Sequence, residues 1–147
     1  MKRLLILFAR APLLLALPLT VGAAPPNPMR GQVPPQAQAA YNQHCAQCHG
    51  QDARQPMAEA PDLRRLNSFC QRLTDAVLKE RCLGDVDAYY LDSALNGKVR
   101  AGVEHMPPWR GRLDEATLWA IRSYIEAQPL PPPRRQTSVD AAHSSGP

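Results

Sequence analysis

Apolar residues along this chain recur at helical spacing. The clearest stripe runs from Asp114 to Ala127, where Leu118, Ile121, Arg122 and Ile125 follow the i, i+3, i+4, i+7 pattern of one helix face. Trp119 and Tyr124 flank it. Asp114 and Glu115 fall in its first turn, where the helix dipole favours acids, and Pro129 follows its end. Gln36 to His49 is rich in Ala and Gln, with Tyr41 four residues before Cys45, again a helical interval. Leu73, Ala76, Val77 and Glu80 predict a short second helix. Val86 to Leu95 predicts a third, stopped by Asn96-Gly97. No segment alternates cleanly with period two, and β-branched runs are absent. The expected fold class is all-α.

The ends of the chain read differently. Lys2, Arg3 and Arg10 precede or open an apolar run from Ala11 to Val21, which closes on Val21-Gly22-Ala23-Ala24. A basic start, an apolar middle and a small-residue cleavage site make a secretory signal. An uninterrupted membrane span needs about 20 apolar residues, and Arg10, Pro12 and Pro18 break this run up. Residues 1–23 are therefore expected to be a signal peptide cut near Ala23 or Ala24, and the mature protein to be periplasmic without stable membrane insertion. Losing Lys2, Arg3 and Arg10 from 17 basic residues leaves 14 against 13 acids, so the whole-chain charge of +4 falls to +1. Nucleic-acid binding needs a basic patch on the folded domain itself, so that class is excluded. Of the 16 prolines, only Pro56, Pro61, Pro107 and Pro108 lie between Gln36 and Gln128. This bounds a folded unit at 36–128, after a Pro-rich linker at 24–35 and before a disordered Pro-rich tail at 129–147.

The chemistry begins at Cys45-Ala46-Gln47-Cys48-His49. Two thiols three positions apart can add to the two vinyl groups of one haem, and the adjoining histidine is placed to ligate its iron. This pentapeptide is the signature of c-type haem attachment. A thioredoxin-like pair would adjoin a βαβ pattern, and a zinc site would want a second Cys-x-x-Cys. Neither is visible. The candidates for a second axial ligand are Met29, His44, Met57, His105, Met106 and His143. Met57 lies only eight residues past His49, a short loop in which to cross to the other haem face, and Met29 and His143 lie in the ends. Met106 sits in Glu104-His105-Met106-Pro107-Pro108-Trp109, where two prolines lock φ and bias the preceding backbone to extended. Met106 is favoured, with His105 its main rival. A His/Met pair raises the reduction potential. It also leaves no vacant iron position, which favours an electron carrier over an enzyme. A haem peroxidase or gas-binding cytochrome with a labile sixth ligand is the competing reading.

On these residues the chain resembles the class I c-type cytochromes. Ala60-Pro61-Asp62-Leu63 is similar to the family's Gly-Pro-x-Leu element, whose proline carbonyl accepts a hydrogen bond from the ligand imidazole. Asn96-Gly97-Lys98, Met106-Pro107-Pro108-Trp109 and the terminal helix continue the likeness through Gln128. It implies four to five helices around one covalently bound haem c, with the last helix crossing the first near Tyr41. A narrower resemblance, carried by Cys70, Cys82, Gly84–Tyr90 and Gly97–Gly102, is to the small periplasmic cytochromes that serve pyrroloquinoline-quinone alcohol dehydrogenases. It implies such a dehydrogenase as electron donor. The carrier itself is expected to be a monomer that passes its electron to a downstream oxidase or cytochrome. Lys98, Arg100 and Arg110 are expected to surround the haem edge where partners dock.

Cys70 and Cys82 are left over. In a compartment that oxidises thiols, a disulfide is the default for such a pair. Twelve residues of unbroken helix would part the two Cα atoms by about 18 Å, whereas a disulfide needs roughly 4.4–6.8 Å. The segment 71–81 is therefore expected to form a two-turn helix with a return, closed by a structural bridge.

Overall fold

The terminal stripe forms α4 (Glu115–Ala127), capped by Asp114, whose carboxylate accepts the Thr117 N–H at 2.7 Å. The computed structural model describes residues 26–57 and 59–130; the expected signal at 1–23, His143 and all but the first two residues of the expected tail lie outside them. Before α4 come α1 (Ala37–His44), α2 (Ala46–His49) and α3 (Ala76–Asn96), then two short strands, β1 (Lys98–Arg100) and β2 (Val103–Met106). Single 3-10 turns at Gln51–Ala53, Leu63–Arg65 and Cys70–Arg72 bridge α2 to α3. Among the described residues no helix is long and apolar enough to cross a membrane.

Every residue of α4 from Leu118 to Ile125 is buried, because α1 and α3 cover it on different sides. Against α1 the Tyr41 and Tyr124 rings pack tilted at 5.4 Å, which is the expected helix crossing. Against α3 the Tyr90 hydroxyl donates to the Leu118 carbonyl at 3.0 Å. The main core joins Ala37, Tyr41, Tyr90, Trp119, Ile121, Tyr124 and Ile125.

Three expectations need correction. The two separate stripes at 73–80 and 86–95 belong to one helix, α3. Its buried face is Leu83, Gly84, Asp87, Tyr90, Ser93 and Ala94, so the helical period persists while the residues on it are largely small or polar. The chain also contains a two-stranded antiparallel sheet where no strand was expected. Ala101 (φ +50°) and Gly102 (φ +77°) supply the positive φ angles of a tight hairpin turn, and strands this short show no countable alternation. The return between Cys70 and Cys82 lies ahead of the helix. Leu73 is extended, Asp75 caps α3, and the two Cα atoms are 5.6 Å apart in a disulfide.

The folded body also reaches back into the stretch expected as linker. Asn27 is only 4% exposed. Its N–H donates to Asp87 at 2.9 Å and its side-chain amide to Ser123 at 2.9 Å. Arg30 pairs with Asp87 and Glu80.

Candidate functional site

The Gln36–His49 segment bends at Cys45, and the bend gathers the pentapeptide. Cys45 ends α1 with its N–H on the Tyr41 carbonyl, and α2 then carries Cys48 and His49. Neither cysteine of the pentapeptide is in a disulfide; Cys45 is partly buried and Cys48 exposed. Burial, and next the neighbouring Cys48, push the Cys45 thiol up to about 12. A thiolate-based redox pair needs the opposite shift, and Cys70 and Cys82, bonded to each other, are not available as zinc ligands.

His49 is 8% exposed, and its Nδ1 lies 3.0 Å from the Pro61 carbonyl oxygen. A carbonyl only accepts, so Nδ1 carries the hydrogen and Nε2 keeps its lone pair for a metal. Burial lowers the imidazole pKa, against the opposing pull of the Pro61 hydrogen bond. The side chain is thus held neutral, in one tautomer. Next to Pro61, Asp62 accepts three hydrogen bonds from Arg64 (2.9–3.1 Å). Burial tends to raise the Asp62 pKa, but Arg64 outweighs it and holds the group below the ordinary carboxylate range.

The loop after His49 is clamped by residues that pattern reading misses. Gly50 has φ +82°, and a Cβ there would fall 1.7 Å from the Arg54 carbonyl oxygen. Asp52, Ala53 and Gln55 also adopt positive φ, a conformation kept only where the surroundings impose it. Here the Asp52 carboxylate accepts from Gln38 (3.0 Å) and Asn42 (3.0 Å) on α1 and from Tyr124 (2.8 Å) on α4. The Tyr41 hydroxyl reaches the carbonyls of His49 (3.3 Å) and Gly50 (3.1 Å). Gln38 and Asn42 sit one helical turn apart, the only sequence trace of this clamp.

The other half of the site is the strap after β2. Successive side chains of a strand point to opposite faces. Met106 is partly buried against Ala94, Leu118 and Trp109, whereas His105 is exposed, with its ring nitrogen 3.8 Å from a Glu59 carboxylate oxygen. Met57 is exposed, and Met29 packs on the main core. The strap closes onto α3 through Trp109 N–H to Ala94 (2.9 Å) and Arg110 N–H to Leu95 (3.2 Å). His44, next to Cys45, meets Trp109 edge-on at 5.2 Å, so the end of α1 and the strap touch.

Residues 32–125 match the profile of the family described as cytochrome c oxidase, cbb3-type, subunit III. The chain belongs to this cytochrome c family. It is a c-type cytochrome with covalently bound haem c, and its mostly helical body with one small hairpin agrees with that fold. The cytochrome is also 36% identical over 89 residues to cytochrome c550 of Pseudomonas aeruginosa, a stretch covering 60% of this chain and 51% of that protein. It thus spans about half the length of that relative. No solved structure gives a significant match. The residues fit the group: two cysteines three positions apart and outside any disulfide, a neutral imidazole with Nε2 available, and a half-buried thioether on a second element.

Proposed function

We propose that the cytochrome is a soluble, monomeric, periplasmic one-electron carrier. In this reading Cys45 and Cys48 hold the single haem, His49 and Met106 ligate its iron, and Pro61 orients His49. The observation that carries it is the His49 Nδ1 to Pro61 carbonyl hydrogen bond on a buried imidazole directly after the Cys45–Cys48 pair. Haem iron supplies reversible one-electron oxidation and reduction. The protein's part is to keep the imidazole in one tautomer, fix its loop through Tyr41 and Asp52, and present the Met106 thioether from a strap tied to α3. Two protein ligands leave no place for peroxide or dioxygen, which argues for a carrier and against a peroxidase.

The donor we infer is a quinoprotein alcohol dehydrogenase, and the acceptor an oxidase or a second cytochrome. Rim charges act mainly on encounter rate. Of the three expected there, Arg110 is committed to Asn96 (2.9 Å) and Lys98 lies over the Tyr89 ring, near Asp92, while Arg100 is exposed. Arg100 is thus the best candidate for steering a partner. The Cys70–Cys82 bridge is read as structural.

The test is anaerobic mixing of the mature ferric protein with a pyrroloquinoline-quinone dehydrogenase and alcohol, following the α-band. Rapid reduction supports the donor; no reduction by any such enzyme rejects it and leaves the carrier. Met106→Ala should abolish the weak red-edge absorption of thioether-ligated ferric haem, lower the midpoint potential and open the iron to carbon monoxide. An unchanged spectrum and potential would remove Met106 from the ligand set.

A further inference from the structure

Gly97 ends α3 with φ +69° and ψ −171°, a backbone region essentially confined to glycine. A Cβ at this position would fall 2.5 Å from the Met106 carbonyl oxygen, 2.8 Å from the Pro108 nitrogen and 3.0 Å from the Pro107 carbonyl carbon. All three are backbone atoms, so no change of rotamer relieves the contact. The strap is drawn to the same spot by other bonds. Lys98 pairs with Met106 in the hairpin register. The Arg110 guanidinium donates to Asn96 Oδ1 at 2.9 and 3.3 Å, directly before Gly97. The backbone of Met106–Pro108 therefore lies flush on the last turn of α3, at a separation set by the missing side chain. The other hairpin glycine is different: Gly102 shares the positive φ (+77°), but a Cβ there would meet nothing within 4 Å.

We propose that Gly97, clasped by the Asn96–Arg110 hydrogen bonds, is a positioning residue for the sixth axial ligand. It holds the Met106 thioether at the iron and sets how readily an outside ligand displaces it. The proposal rests on the reading of Met106 as ligand. A thioether is a weak donor on a strap whose two prolines fix φ and leave few ways to absorb a shift. Displacing the strap backbone is therefore felt at the sulfur.

The experiment compares ferric wild type with Gly97→Ala, Gly102→Ala, Asn96→Ala and Met106→Ala, all as matured haem proteins. The readouts are the red-edge thioether band, the midpoint potential and imidazole affinity. Gly97→Ala is expected to lose most of the band, shift to lower potential and bind imidazole at least about tenfold more tightly. Gly102→Ala, which carries positive-φ strain without the contact, is expected to match the wild type. Asn96→Ala is expected to bind imidazole more tightly than wild type but less so than Gly97→Ala. Wild-type band, potential and imidazole affinity in Gly97→Ala overturn the proposal, as does an equal change in Gly102→Ala. Should Gly97→Ala fail to mature, wild-type imidazole affinity in Asn96→Ala overturns it instead. An intact band in Met106→Ala removes the ligand reading and the proposal with it; a lost band there beside a normal Gly97→Ala rejects the proposal alone.

Discussion

Asp52 holds a left-handed backbone (φ 53°) because its carboxylate takes hydrogen bonds from Gln38, Asn42 and Tyr124. Those bonds lower its pKa. Burial, followed by the Asp52 carboxylate, pushes the Tyr124 phenol up to about 12, so Tyr124 remains a donor at any working pH. A carboxylate with a depressed folded pKa stabilises above its unfolded pKa, and that contribution is lost as pH falls through the folded value. Asp52→Asn should therefore have a lower urea midpoint than wild type at pH 7, and the gap should begin to close only below about pH 4. Parallel midpoints across that range would mean the carboxylate charge contributes nothing. At this scale the haem pentapeptide is legible because thioether chemistry dictates its spacing. Asp52 is not, since its partners on α1 are polar residues that periodicity assigns to solvent.

Among the elements, α3 departs most from its reading. Gly84, Asp87 and Ser93 occupy its buried face, so a hydrophobic pattern sees two fragments where the backbone forms one helix. What packs there is polar or small because the N-terminal segment and Arg122 pack against it, and sequence spacing cannot reveal partners so remote. The distance argument for the Cys70–Cys82 segment did anticipate a reversal, although not its place. That bridge ties the turn before α3 to the second turn of the helix. Replacing both cysteines by serine should lower unfolding free energy by about 3 kcal/mol while the haem spectrum and potential stay the same. A shifted potential would show that the insert reaches the iron site. Free thiols in the native wild-type protein, counted by mass, would show that the bridge does not form.

Across the whole molecule, one buried carboxylate joins parts far apart in sequence. Asp87 is 0% exposed; it meets the Asn27 N–H at 2.9 Å and the Arg122 guanidinium at 2.9 Å, and it also pairs with Arg30. Arg122, 1% exposed, also bonds Asn67 and reaches Glu126 at 3.3 Å. Sequence spacing puts Arg122 on the core-facing stripe of α4 but cannot supply its partners. Asp87→Ala takes the closest carboxylate from the buried Arg122, while Arg30 keeps Glu80, and should cost about 3–5 kcal/mol in chemical denaturation; a loss below 1 kcal/mol would show that water or Glu126 compensates. The docking of Asn27 has a topographic consequence. If the leader expected at residues 1–23 stayed uncut, only residues 22–26 would separate its apolar run from Asn27, a reach of at most about 20 Å. On the carrier reading proposed above, the domain would then stay within that reach of the lipid surface, and peptidase processing would set how far it diffuses.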